Sequence, residues 1–235
     1  MMDVFWLPDK GVDFPNPNLA DADGLLAIGG DLSVERLLSA YACGIFPWYN
    51  DDSPILWWSP DPRFVLYPDE LHVPRSLRRS IRSRRFRITV DTAFSGVITR
   101  CARTPRPGQS GTWIVRDVIA GYTALHELGL AHSVEAWTGD TLVGGIYGVG
   151  LGRVFFGESM FYAEPDASKT ALVWLVSLLR WAGYAMVDCQ QVTDNLQRFG
   201  AREVRRVDFL EQLRMAMTAP TMQGRWSLPQ GFFPL

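Results

Sequence analysis

Between residues 131 and 190 the chain changes pattern in an order that few architectures accommodate. Residues 131–138 break at Gly139-Asp140 into 142–149, and these break near Gly150–Gly152 into 154–161. Runs rich in β-branched and aromatic residues separated by tight glycine turns make an antiparallel meander. A helical pattern follows over 168–182, then an apolar run over 185–190. A strand that returns after one helix pairs parallel to its predecessor through a right-handed crossover, so the sheet is mixed. Flanking segments extend it. Strands are predicted over 64–67, 87–90 and 203–207, and helices over 92–103, 117–127 (closed by Gly129), 194–199 (stopped by Gly200) and 209–217.

The first sixty residues read differently. They hold Pro8, Pro15, Pro17, Pro47, Pro54 and Pro60, and one short helix over 33–44, with Ser33 as its cap, Glu35 in its first turn and Gly44 just past its end. Leu37, Leu38 and Tyr41 give that helix an apolar face. The division implied is a small N-terminal domain, 1–62, and a larger α+β domain, 63–235. The element order of the larger part resembles the acetyltransferase-like (GNAT-type) mixed sheet.

Charge and composition narrow the classes of function. The N-terminus lacks the basic and apolar regions of a signal peptide, and the most apolar stretch, 170–182, is interrupted by Ser177 and Arg180, so neither secretion nor a membrane span is expected. Three scattered cysteines, Cys43, Cys101 and Cys189, form no metal or disulfide pattern and suit a reducing cytoplasm. The net charge of −2 hides an asymmetry: ten arginines and two acidic residues lie between Glu70 and Arg106. Arg75, Arg78, Arg79, Arg82 and Arg85 recur at helical spacing opposite Leu77 and Ile81. Such a stripe is either a solvated helix face or a seat for a phosphate backbone, since guanidinium forks match phosphate geometry. It carries no base-reading signature.

Two strand segments could carry chemistry. In Val187-Asp188-Cys189-Gln190 the strand period puts Asp188 and Gln190 on one face and Cys189 on the other, in the packed layer, which argues against a thiol nucleophile. The plain alternative has Asp188 capping the helix that begins near Thr193. In Gly157-Glu158-Ser159-Met160-Phe161 the same period puts Glu158 beside Met160, either as edge and core residues or as a site for something cationic next to something apolar. Other motifs fail. Gly148-Val149-Gly150-Leu151-Gly152 leads into a strand and lacks the helix N-terminus of a phosphate loop. His126 and His132 are off the spacing of a helical zinc motif. The rings in Phe46-Pro47-Trp48-Tyr49 and Trp57-Trp58 suit packing or, beside arginines, stacking on a terminal base.

Longer blocks then point to a family. Gly24-Leu25-Leu26-Ala27-Ile28-Gly29-Gly30-Asp31-Leu32-Ser33, Gly44-Ile45-Phe46-Pro47-Trp48, Pro54-Ile55-Leu56-Trp57-Trp58-Ser59-Pro60-Asp61-Pro62-Arg63, Gly111-Thr112-Trp113-Ile114, Gly157-Glu158-Ser159-Met160-Phe161 and Asp188-Cys189-Gln190 closely resemble leucyl/phenylalanyl-tRNA-protein transferases. The resemblance implies transfer of Leu or Phe, and Met less well, from aminoacyl-tRNA to proteins with N-terminal Arg or Lys, marking them for degradation in the N-degron pathway of the cytoplasm. No cofactor or metal is implied, because the ester is already activated. By position it implies Asp188 and Gln190 as the catalytic pair, with Glu158 on the acceptor side. Trp48 and Trp113 fall where the 3′ adenosine is held, and Ile146, Met160, Leu172, Leu175 and Leu179 where the aminoacyl side chain sits. Ile146, Leu175 and Leu179 depart from the family pattern in ways that bear on Leu against Phe preference. From the residues alone, Asp188 is expected to accept or relay the amine proton, with Gln190 fixing it. A coenzyme-A-dependent acetyltransferase and a noncatalytic RNA-binding module remain the rival readings.

Overall fold

The computed structural model describes residues 4–104 and 112–235. Its larger sheet contains β5 (Arg63–Leu66), β6 (Arg87–Val90), β7 (Ala131–Thr138), β8 (Thr141–Leu151), β9 (Val154–Tyr162), β10 (Met186–Gln190) and β11 (Arg202–Val204) in the order β11-β5-β10-β9-β8-β7-β6. The pairs from β6 to β9 are antiparallel, β10 joins β9 in parallel after α5 (Ala167–Trp181), and β5 and β11 close the far side antiparallel. This is the expected meander continued by a β-α-β unit.

Two apolar layers cover the sheet. On one face lie Leu37 and Tyr41 of α1 (Val34–Ala42), Val97 and Ile98 of α3 (Phe94–Arg103), Val118 and Tyr122 of α4 (Arg116–Glu127), and Phe209 and Leu213 of α7 (Arg206–Ala216). On the other lie Leu77 and Ile81 of α2 (Arg75–Arg82), most of α5, and Trp226 from the C-terminal segment. Leu172, Leu175 and Leu179 of α5 are each at most 1% exposed. Burial of each such side chain contributes roughly 1.5–3 kcal/mol, enough to fix α5 on the sheet.

The N-terminal part is less loop-like than its prolines suggest. β1 (Phe5–Leu7), β2 (Leu25–Gly29), β3 (Phe46–Pro47) and β4 (Leu56–Trp58) form a second sheet in the order β1-β2-β4-β3. Strands of two to five residues leave too little periodicity to read, and their partners lie up to 33 residues away in sequence, at Leu25 and Trp58. Gly24, at φ +95°, shows why glycine stands there: a Cβ would lie 2.6 Å from the Pro60 Cα. Trp57 is fully buried and donates Nε1–H to the Gly29 carbonyl at 2.9 Å, while Trp58 donates to the Trp48 carbonyl at 2.7 Å. Those two rings therefore pack the fold.

Several boundaries move for identifiable reasons. Ser33 occupies the cap position of α1 but makes no side-chain cap bond; its own N–H donates to Asp31 Oδ1 at 2.8 Å. Helix α7 begins at Arg206, ahead of the expected residue 209, because the Asp61 carboxylate accepts the Arg206 N–H at 2.9 Å. Helix α6 (Asp194–Gln197) is capped by Thr193, whose hydroxyl accepts the Leu196 N–H, so the alternative role of Asp188 as a cap falls away. Among the described residues no helix is long and apolar enough to cross a membrane.

Candidate active site

The site forms where β9 and β10 stop pairing. Their parallel ladder ends at Asp188 opposite Phe156, after which β9 continues to Tyr162 and β10 turns away through a bulge against β5. Gln190, at φ +62°, holds a backbone conformation that a residue with a Cβ rarely adopts. Its N–H donates to Asp188 Oδ1 at 2.9 Å, and its side-chain Nε2 donates across the opening to Glu158 Oε1, also at 2.9 Å.

A second bulge corrects the expected pairing of Glu158 with Met160. Ser159 lies opposite Tyr147 and Gly157 opposite Gly148, so Glu158 is an extra residue in β9 and the period of two breaks there. Glu158 therefore faces the α1 and α4 layer, whereas Met160 packs against the α5 layer on the other face. Asp188 shares Glu158's face. Cys189 packs toward α5, and burial, then the Asp188 charge, push its thiol well above the usual range, which fits a packing role.

Asp188, the expected proton acceptor, is fully buried. Arg63, also fully buried, grips it with Nε–Oδ1 at 2.8 Å and Nη2–Oδ2 at 2.6 Å. The third guanidinium nitrogen, Nη1, donates to the Gly44 carbonyl at the end of α1 (3.0 Å), and the Phe46 and Phe209 rings flank the group at 4.8 and 4.6 Å. Both carboxylate oxygens are thus occupied within the protein. A buried pair of this kind satisfies its charges internally and fixes whatever is hydrogen-bonded to it. Here that is Gln190.

Glu158 is different. It is half-buried and accepts from the Tyr41 hydroxyl at 2.7 Å, the Tyr122 hydroxyl at 3.1 Å and Gln190, and the two tyrosine hydroxyls also meet each other. Three contacts join these two hydroxyls and the carboxyl group, but the hydroxyls bring only two protons, so all three contacts are hydrogen-bonded only in the protonated form of Glu158. The electrostatics agree. Burial, opposed by the tyrosine hydrogen bonds and aided by the Asp188 charge, lifts the Glu158 carboxyl to about 7. Burial and then the Glu158 charge raise both tyrosines well above their ordinary range. The result is a carboxyl that can exchange a proton near neutral pH.

Residues 65–214 match the leucyl/phenylalanyl-tRNA protein transferase family, and residues 30–61 match its N-terminal domain. The chain belongs to this family. Proteins named leucyl/phenylalanyl-tRNA–protein transferase are similar along nearly the full length: one from Oleidesulfovibrio alaskensis is 60% identical, covering 100% of this chain and 96% of its own. One from Nitratidesulfovibrio vulgaris is 59% identical over 99% and 100%, and one from an Anaeromyxobacter species is 58% identical over 99% of both. Among solved structures, a functionally unknown conserved protein from Staphylococcus epidermidis is 14% identical over 57% of this chain and 65% of its own, with a TM-score of 0.33 that carries no argument.

The other positions that resemble those of leucyl/phenylalanyl-tRNA-protein transferases divide between the two faces. Trp48 is half-buried, edge-on to Trp58 at 5.7 Å between ring centres, and Trp113 is buried; both belong to the layer that contains Tyr41 and Tyr122. Gly111, which opens the Trp113 motif, lies outside the described residues, as does Arg106 at the end of the basic segment. Ile146, Met160, Leu172, Leu175 and Leu179 do come together, in the α5 layer. Of these, Met160 alone is part-exposed. The oily cluster and the carboxyl thus lie on opposite faces of the sheet, with Met160 two residues beyond Glu158 on β9.

On α2, Arg75, Arg78, Arg79 and Arg82 are exposed, with Leu77 and Ile81 buried, and among the described residues none of the four makes an ion pair. Arg85 does not continue the stripe. The helix ends at Arg82, Arg84 turns the chain at φ +53°, and Arg85 pairs with Glu164 at 2.9 Å. His132 donates or accepts at Asp91 Oδ2 (2.8 Å), and among the described residues no group of three or more ligating side chains could hold a metal. The glycine run 148–152 lies largely inside β8, without a helix start.

Arg63, Tyr41 and Tyr122 were not singled out as site residues from the sequence. Tyr41 reads as part of an apolar face, and its partner Glu158 is 117 residues away. Arg63 falls just before the expected strand 64–67, where it reads as a surface charge; the structure makes it the first residue of the buried strand Arg63–Leu66, where it needs a counter-charge.

Proposed function

We propose that this chain transfers Leu or Phe, and Met less well, from aminoacyl-tRNA to the N-terminal amine of proteins beginning with Arg or Lys, in the cytoplasm, where the product is marked for degradation. The observation that carries the reading is the Glu158 cage, a carboxyl near neutral pKa held by Tyr41, Tyr122 and Gln190 in a chain of this family.

The chemistry is aminolysis of an ester. The acceptor nitrogen attacks the aminoacyl carbonyl carbon, the bond to the ribose oxygen breaks, the nitrogen loses a proton and the ribose oxygen gains one. An α-amine has a reference pKa of about 8, so a nearby base raises the reactive fraction. We assign that role to ionised Glu158, with its charge also attracting the basic acceptor. Asp188 is enclosed, so its role in this scheme is positioning: with Arg63 it holds Gln190, whose amide is the group offered to the opening. The donor side chain enters between β9 and β10 toward Met160 and the α5 cluster, which reconciles an oily slot on one face with a carboxyl on the other. Trp48 and Trp113 flank the terminal adenosine, and Arg75, Arg78, Arg79 and Arg82 meet the tRNA backbone. We also propose the division at residue 62 and the acetyltransferase-like architecture of the larger part, supported by the meander, the parallel β9–β10 pair and their divergence.

The test supplies labelled leucyl-tRNA, labelled acetyl-CoA and a peptide beginning with Arg together. Leucyl label on the peptide's α-amine is the expected result. Acetyl label would establish the acetyltransferase reading, and tRNA retention with neither label transferred would establish the RNA-binding module.

A further inference from the structure

Helix α3 carries two arginines and no acidic residue. Both, Arg100 and Arg103, lie exposed in its last turn and make no ion pair among the described residues. A cation there opposes the partial negative charge of the helix end, which accounts for either residue without a ligand. The direction of Arg100 does not follow from that. Its guanidinium carbon lies 5.8 Å from the centre of the Phe161 ring on β9. Phe161 belongs to the layer of Tyr41 and Tyr122 and lies three residues beyond Glu158, about 10 Å along the strand and on the same face of the sheet. Packing fixes α3 in that place: a Cβ on Gly145, the partner of Phe161 in the ladder, would lie 2.9 Å from a methyl group of Val97, one turn before Arg100. At its other end Phe94 stacks on His126, in the last turn of α4, at 4.3 Å between ring centres. The two helices therefore run in opposite directions, and the end of α3 falls toward the start of α4, just ahead of which lies Trp113.

The terminal nucleotide of an aminoacyl-tRNA presents three groups: a base, a ribose carrying the ester, and one phosphate. The function proposed above gives the ester to Glu158 and the base to Trp48 and Trp113, and leaves the phosphate without a partner. The α2 arginines do not supply one, because Leu77 and Ile81 anchor that helix in the α5 layer, across the sheet from Glu158. Only the ribose separates the phosphate from the ester, so its partner must be a cation close to Glu158 on the same face, and Arg100 meets both conditions. A guanidinium group resting against a ring keeps its edges free, and two parallel N–H groups match two phosphate oxygens. We propose that Arg100 holds the phosphate on the 5′ side of the donor's terminal adenosine and thereby positions the ester at Glu158. The proposal rests on aminoacyl-tRNA being the donor.

Two small donors that differ only in this group test it: 3′-leucyl-adenosine, and the same ester with a 5′-methylphosphate, which has the single charge of the tRNA linkage. Transfer to a peptide beginning with Arg gives kcat/KM for each, and the unreactive amide analogues give dissociation constants. The wild type is expected to favour the phosphorylated donor about tenfold or more, the effect of a hydrogen bond to a charged group. Arg100→Gln should abolish that preference by weakening the phosphorylated donor alone, and Arg100→Lys, a point charge in place of a fork, should keep part of it. An equal loss with both donors would make Arg100 a support for Phe161, and a wild type without the preference, or an Arg100→Gln variant that retains it, would place the phosphate elsewhere; each of these overturns the proposal. If the wild type transfers leucine from no donor, leucyl-tRNA included, the function reading fails, while the dissociation constants still decide whether Arg100 holds the phosphate.

Discussion

Replacing Asp188 by Asn removes the negative charge from a pair in which neither partner has any exposed surface. Arg63 cannot move into water, because Gly44 and the Phe46 and Phe209 rings hold it on its other sides. Leaving a buried charge without its partner costs about 3–5 kcal/mol, and an amide that still accepts one guanidinium hydrogen bond puts Asp188→Asn near the lower end. For a chain of this length that is a fall in Tm of roughly 6–12 °C. The catalytic effect is separate. Gln190 N–H keeps only a neutral amide oxygen in place of the carboxylate that stabilises its φ of +62°, so its side chain is held less firmly on Glu158, and a displacement of about 1 Å in such a group can lower turnover about 100-fold. Donor binding, which we assign to the α2 arginines, should hardly change. The double variant Arg63→Met with Asp188→Leu separates the two effects: replacing both charges with apolar groups restores stability to near or above wild type, yet turnover stays low because Gln190 N–H now has no side-chain acceptor at position 188. Thermal unfolding and single-turnover transfer are the assays. Wild-type Tm and turnover in Asp188→Asn would refute the reasoning, and turnover recovering with stability in the double variant would reduce the pair to a prop for the fold.

The α2 stripe predicts that Arg78→Ala and Arg82→Ala each weaken aminoacyl-tRNA binding without sequence preference and lower the salt slope by about one, measured by titration across salt concentrations; an unchanged slope would make the stripe a solvated face. Met160, the part-exposed member of the α5 cluster, should set donor preference: Met160→Ala is expected to shift the Phe-to-Leu ratio of kcat/KM by about tenfold or more, in favour of the larger side chain, and an unchanged ratio would move the aminoacyl pocket elsewhere.

The larger sheet was legible because its strands are long enough to show a period and its turns carry glycine; β6 and β7 fall where the pattern puts them. The N-terminal sheet was not, because its strands are short and owe their existence to partners such as Gly24 against Pro60 and Trp57 against Gly29. At the site, residue types were readable but directions were not. One extra residue in β9 turned Glu158 away from Met160, and a bulge of this kind has no signature in alternation when the residues around it are Gly, Ser and Met. The buried Arg63–Asp188 pair was hidden for a different reason: its members are 125 residues apart, and each alone reads as a surface charge or a catalytic one.

The proton-exchanging Glu158 is the centre of the account, and the pH dependence of single-turnover transfer from saturating leucyl-tRNA to a subsaturating acceptor tests it. Because the folded carboxyl ionises near 7, its basic form grows as pH rises through that value, and the neutral amine grows toward its own pKa of about 8. The wild-type rate should therefore climb with a logarithmic slope approaching two below about pH 7, while Glu158→Gln shows a lower rate and a slope of one. Equal slopes in the two proteins would contradict the assignment of the proton to Glu158.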